Sequence, residues 1–158
     1  MNIKLKRPLQ ITIFIAVLAI TLSTAIYAGW NNLTVRNSGS IIAIGVVVHW
    51  DPNQQNETTE INWGTIWTGS TKNVTIYITS ISNRQTHLHL ESTNWTPKEL
   101  EKYMTLSWTY TGQLIDPGDT IQVTLKLSCS SSSEFFIYLM SNNIEDFNFD
   151  VIISAEKA

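Results

Sequence analysis

The sequence predicts an all-β chain: a two-sheet antiparallel β-sandwich, immunoglobulin-like or jelly-roll-like, preceded by one N-terminal hydrophobic helix. Three observations carry this. Apolar and polar residues alternate with period two through most of the chain after Trp30. Clusters of Gly, Pro, Asn, Asp and Ser punctuate the alternating segments. A single long apolar run, Leu9 to Ala28, stands at the front. The expected division is therefore a signal peptide or signal anchor over 1–29 and a sandwich domain over 30–158.

The leader comes first. Lys4, Lys6, Arg7 and Pro8 open onto the apolar run. At about 1.5 Å per residue, a helix over Leu9–Ala28 matches the ~30 Å thickness of a bilayer's hydrocarbon core. All three cations lie on its N-terminal side, which keeps Met1 cytoplasmic and sends Trp30 onward outside. Small residues at Ser23-Thr24-Ala25 and at Ala28 suit a signal peptidase, whereas Tyr27 and Trp30 suit an uncleaved anchor as interfacial aromatics. Both fates stay open, so the expected location is extracellular or cell-surface, membrane-anchored if the leader is retained.

The strands follow in order. Leu33 to Arg36 is short and β-prone, closed by an Asn37-Ser38-Gly39 turn. Ile41 to Trp50 is a longer apolar stretch fit for burial on both faces, and Asp51-Pro52-Asn53 stops it. Asp51 to Glu60 is the plainest loop, and Ile61 to Gly64 is a brief strand before Thr68-Gly69-Ser70. From Asn73 to Ile81, Val74, Ile76 and Ile78 point one way while Thr75, Tyr77 and Thr79 point the other. Leu88 and Leu90 alternate with His87, His89 and Glu91; Leu106, Trp108 and Tyr110 alternate with Ser107 and Thr109.

Between those two strands, Thr96-Pro97-Lys98-Glu99 has the form of a capping box with Pro at the first helical position. It predicts one or two helical turns with Leu100 and Tyr103 on one face. Asp116-Pro117-Gly118-Asp119 predicts a tight turn into the cleanest stripe, Ile121, Val123, Leu125 and Leu127. The serine run Ser128 to Ser133 reads as a flexible connector. Phe147, Phe149, Val151 and Ile153 close the domain.

Composition narrows the function classes. The chain carries a net charge of −3, and removing the three leader cations leaves −6, unlike a nucleic-acid binder. About 128 residues follow Trp30, enough for one domain with a sizeable core. Lone Cys129 excludes an internal disulfide framework and is expected as a small residue at a strand end. Four Asn-x-Ser/Thr sequons, at Asn32, Asn56, Asn73 and Asn94, are candidate glycosylation sites on the exported side.

Catalytic and metal chemistry finds little support. His87 and His89 share one strand face with Glu91, a spacing that can hold zinc or copper but lacks an obvious fourth ligand. They are weak candidates, and no metal or cofactor is expected. No Asp-x-Asp-x-Asp calcium loop and no Gly-x-Ser-x-Gly elbow occurs. Glu145 and Asp146 are adjacent, so on a strand they would face opposite sides. Among the tryptophans, Trp108 sits in an alternating stripe and is expected in the core. Trp63, Trp67 and Trp95 lie near turns, where core packing competes with display as sugar-binding platforms.

Several patches occur in a fixed order: Val46-Val47-Val48-His49-Trp50-Asp51, Ile61-Asn62-Trp63-Gly64, Gly69 to Ile78, Asn94-Trp95-Thr96-Pro97, Leu106 to Tyr110, and Phe147-Asn148-Phe149-Asp150. Together they resemble a group of small archaeal secreted or membrane-anchored β-sandwich proteins, over nearly everything after Trp30. The layout of leader, early strand and sandwich is more loosely similar to the TasA/camelysin-type subunits of extracellular fibres. Neither resemblance brings a catalytic motif. The fibre resemblance implies strand donation, in which an N-terminal segment completes the next subunit's sheet. Asn31 to Arg36 has the composition for it, with Leu33 and Val35 as the buried pair, although such a strand also pairs readily within its own domain. Type IV pilins are disfavoured because Pro8 follows Arg7.

The expectation is thus an exported, non-catalytic structural protein of the cell surface, a filament subunit assembling by strand donation. The alternative is an envelope-anchored binding module for glycan or protein partners. Its partners would be copies of itself or other envelope proteins, and the membrane through Leu9–Ala28 if the leader stays.

Overall fold

The computed structural model describes residues 35–158. The hydrophobic leader, Asn32 and Leu33 lie outside the described residues. Eight strands build two four-stranded sheets: β1 (Val35–Ile44), β2 (Val46–His49), β3 (Glu60–Ile66), β4 (Thr71–Ser80), β5 (Thr86–Thr96), β6 (Met104–Trp108), β7 (Thr120–Cys129) and β8 (Asp146–Lys157). One sheet has the order β3-β1-β8-β5, the other β2-β4-β7-β6. The chain is therefore mostly β and sandwich-like, as the alternation predicts. One pairing departs from the antiparallel expectation: β1 runs parallel to β8, from Arg36 beside Asp146 to Ile44 beside Ser154.

The period-two stripes form the core. Phe147, Phe149, Val151 and Ile153 of β8 face Val123, Leu125 and Leu127 of β7 and Ile76 and Ile78 of β4, all buried. The opposite face of the β4/β7 pair is polar, tied by hydroxyl contacts at Thr71–Ser128 (3.0 Å), Thr75–Thr124 (3.3 Å) and Thr79–Thr120 (2.8 Å). The Asp116–Asp119 turn closes as expected, with Asp119 N–H donating to Asp116 O at 3.1 Å and Gly118 at φ +81°.

Two glycines correct the reading of the first strands. The expected Asn37-Ser38-Gly39 turn is absent: β1 runs straight through it, and the irregularity is a bulge that leaves Trp63 of β3 without an opposite residue. Gly39 serves close approach instead, since a Cβ there would lie 3.2 Å from Trp63 Nε1 and 3.3 Å from Phe149 O. The apolar stretch Ile41 to Trp50 is not one strand buried on both faces. It breaks at Gly45 (φ +72°), where the chain leaves the first sheet and enters the second as β2, and Ile42 and Ile44 face solvent.

The helical elements also differ from expectation. A 3₁₀ segment spans Lys98–Lys102, but Pro97 itself takes the N-cap place, without a side-chain cap. Thr96 remains the last residue of β5, paired with Asn148, so no capping box forms. The serine connector gives way to a helix, α1 (Ser133–Ser141). The Ser132 hydroxyl accepts from Phe135 N–H at 3.2 Å, and Phe135 and Leu139 turn inward one helical turn apart. Tyr103, just after the 3₁₀ segment, stacks on Phe135 at 4.8 Å and donates to Glu134 Oε1 at 2.9 Å, a bond that raises the tyrosine's pKa.

Asp51 gives the loop after β2 its shape. Its carboxylate accepts from the N–H groups of Asn53 (2.9 Å), Gln55 (3.4 Å) and Asn56 (2.8 Å), and from Asn56 Nδ2 (3.0 Å). Burial pushes its pKa upward, but these bonds outweigh it and hold the carboxyl below its ordinary value. A depressed folded pKa means the contribution is complete above the unfolded value, about 3.9, and fades as pH falls through the folded one. Amide exchange at Asn53, Gln55 and Asn56, taken relative to the intrinsic rate at each pH, should therefore become faster below about pH 4. Asp51→Ala should give the same fast exchange at neutral pH while leaving β7 and β8 protected.

Candidate interaction site

The tryptophans near turns divide between the two sequence readings, core packing and display. Trp63 and Trp95, near turns, are core residues with 3% and 5% exposure. Trp95 stacks on Phe149 at 4.0 Å with planes 5° apart, and Trp63 flanks the same ring at 6.1 Å. Trp108, expected in the core, is half-buried and meets Tyr110 edge-on at 5.2 Å. Among the described residues, Trp67 and Trp50 are the exposed indoles, at 40% and 41%.

Candidate ligand and modification residues lie as follows. His87, His89 and Glu91 occupy the outer face of β5, opposite Glu156, Ser154 and Ile152 of β8. Among the described residues, no three His, Cys, Asp or Glu side chains converge on a metal position. His49 is buried on β2, in the other sheet. Asn56, Asn73 and Asn94 are all exposed; Asn56 Nδ2 is held by Asp51, and Asn94 Nδ2 donates to Asp150 at 2.7 Å. Cys129 ends β7, and burial pushes its thiol up to about 11, against a lowering backbone hydrogen bond at Gly69, so it stays protonated and unreactive near neutrality. Among the described helices none is long and apolar enough to cross a membrane.

Val35, the described half of the candidate donor pair, opens β1 and pairs with Ile66 of its own β3. The donor strand is thus at home in its own sheet, and it occupies the interior position between β3 and β8.

The sheet edges are treated unequally. On β3, the Ile41 N–H to Thr59 O bond (2.6 Å) sets the ladder so that Glu60 turns its N–H and C=O outward. Thr58 satisfies both, its hydroxyl donating to Glu60 O at 2.8 Å and accepting from Glu60 N–H at 3.2 Å. On β2, Thr58 N–H caps Val48 O at 2.9 Å. Both edges thus carry a local cap from Thr58, at Glu60 on β3 and at Val48 on β2.

The flank formed by β5 and β6 is open. Ala158 N–H donates to Gln85 O at 3.5 Å, so the alternation of an antiparallel ladder turns Thr86, Leu88, Leu90 and Ser92 away from β8. Ile115 takes both outward groups of Thr86 (3.1 and 2.9 Å), and Tyr110 Oη accepts from Leu88 N–H at 3.0 Å. The outward groups of Leu90 and Ser92 have no partner among the described residues. A groove of about 540 Å³, lined by residues 91–96 with Lys98 and Glu101, continues along this edge. In the other sheet, bonds from Ser130 N–H to Tyr103 O and from Thr109 N–H to Thr124 O likewise leave Leu106 and Trp108 facing outward. The inward side chains of Leu90, Leu106 and Trp108 are only half-buried, whereas Val123, Leu125, Val151 and Ile153 are wholly buried. A flank with free backbone groups and half-covered apolar side chains is chemically a strand acceptor.

Comparison with protein-family models finds no match for this chain, and comparison with curated proteins finds no relative.

Proposed function

We propose that the protein is an exported structural subunit of the cell surface that assembles by exchange of its first strand. The supporting observation is the position of β1: the first described strand lies inside its sheet, between β3 and β8, and ends at the single residue Gly45. Swinging β1 out about Gly45 opens a slot that the β1 of another copy fills with the same contacts, so closed and exchanged forms differ mainly in the hinge and in association entropy. Export rests on the leader and on its positive-inside asymmetry. The binding-module alternative loses two of its three candidate platforms, because Trp63 and Trp95 are buried, and keeps only Trp67.

A disulfide lock tests this. Ser40 and Glu60 are directly opposite on β1 and β3, both exposed, and form a pair without mutual backbone bonds, for which Cα atoms lie about 4.5 Å apart. That spacing is within the range a disulfide spans. In a Cys129→Ser background, Ser40→Cys with Glu60→Cys should abolish large assemblies when oxidised and restore them on reduction, read by light scattering. Equal assembly by the oxidised lock and the parent chain would contradict strand exchange.

A further inference from the structure

Strand exchange leaves the β5 flank unused, and β5 carries a charge pattern that selects a partner. Among the described residues, Leu90 and Ser92 present both backbone groups free there and Leu88 its C=O, so a strand added to this edge must bond to these. On the outer face, His89 and Glu91 lie on either side of Leu90. Three antiparallel self-pairings fit so short an edge. Centring the two-fold axis on Glu91 sets the two Glu91 carboxylates against each other. Centring it on His89 pairs Leu88 with Leu90, and because Tyr110 already holds the Leu88 N–H, only the two bonds from Leu90 N–H to Leu88 C=O can form. Centring it on Leu90 places each His89 opposite the other copy's Glu91 and Leu88 opposite Ser92, where Ser92 N–H reaches the free Leu88 C=O, so four bonds form: two between the Leu90 residues and two from Ser92 to Leu88.

The last register suits the edge on three counts. Leu90 pairs with Leu90 through two reciprocal N–H to C=O bonds, because its backbone groups already face outward. The His89–Glu91 pairs fall at positions without mutual backbone bonds, where cross-strand side chains come closest. The half-buried Leu90 side chains meet across the axis and cover one another. A two-fold axis also makes the contact closed, so it yields a dimer and not an open-ended stack.

We infer that β5 is a homodimer interface, in which two copies pair antiparallel about Leu90 to make one continuous eight-stranded sheet. This contact needs no movement of β1 and is separate from the exchange proposed above. Where both operate, exchange extends the assembly and β5 pairing joins two such assemblies side by side.

The test uses the full chain carrying the oxidised Ser40→Cys/Glu60→Cys lock with Cys129→Ser, so that strand exchange cannot contribute. Sedimentation equilibrium then reads dimerisation alone. The locked chain should dimerise. Ser92→Pro should weaken the dimer at least tenfold without loss of folding, because the N–H it removes faces away from β8. Glu91→Lys and His89→Glu should each weaken it by a similar factor, and His89→Glu/Glu91→Lys together should return it to within about threefold of the parent, since the reversed pair is again complementary. A monomeric locked chain would overturn the interface while leaving strand exchange untouched. So would single variants that dimerise like the parent, or a double reversal that fails to recover.

Discussion

Phe149→Ala is expected to be the most damaging single truncation in the domain. The ring is 1% exposed, lies flat on Trp95 and is flanked by Trp63 and Phe147. Removing it strips three aromatic neighbours of their shared contact and leaves a cavity between the sheets, at a cost of about 3–5 kcal/mol. A domain of this kind has only about 5–15 kcal/mol of stability in total. The midpoint of thermal unfolding should fall by about 10–20 °C. Phe149→Leu keeps most of the volume and loses chiefly the stacking, about 0.5–1.5 kcal/mol, so it should fall far less. Equal losses for both variants would mean that ring stacking, not volume, holds this end of the sandwich together.

Gly45→Val is expected to have the second large effect, and it bears on function. At φ +72° a β-branched residue is strained by roughly 1–2 kcal/mol, and the added Cβ lies 3.1 Å from the Ala155 Cβ. Overpacking there adds about 1–3 kcal/mol. The strain applies only while the chain reverses from β1 into β2. In the exchanged form the hinge is extended, which valine favours. Gly45→Val should therefore lower monomer stability by about 2–5 kcal/mol and raise the fraction of chain in assemblies at a fixed concentration. Loss of stability with an unchanged assembled fraction would show that Gly45 is not the hinge.

Much of the fold is legible in the sequence because alternation reports a strand half-buried in a sheet. Val74–Ile78, Ile121–Leu127 and Phe147–Ile153 read correctly for that reason: each belongs to a strand with one apolar and one polar face. The errors fall where one residue type serves two physical purposes. Asn37-Ser38-Gly39 has turn composition, yet Gly39 is there because Trp63 and the Phe149 carbonyl crowd it. Gly45, inside an apolar run, gave no local sign that the chain changes sheets there. Helix α1 hides behind a serine run because only Phe135 and Leu139 face inward, too few positions to show a period. The open flank is less legible still. Whether the outward backbone groups of β5 are free depends on Tyr110 and Ile115, which are remote in sequence from the edge they cap. The alternation of His87, His89 and Glu91 is visible in the sequence, but that β5 lies at a sheet edge is not.

The measurement that bears most directly on the central claim is the intact mass, N-terminal sequence and particle size of the native protein from its own cells. An exported assembling subunit predicts a mature chain beginning near Ile26 or Gly29, recovered in large extracellular assemblies. A chain that retains Met1, held in the membrane as a monomer, would contradict it and leave a single-span anchor displaying an isolated sandwich.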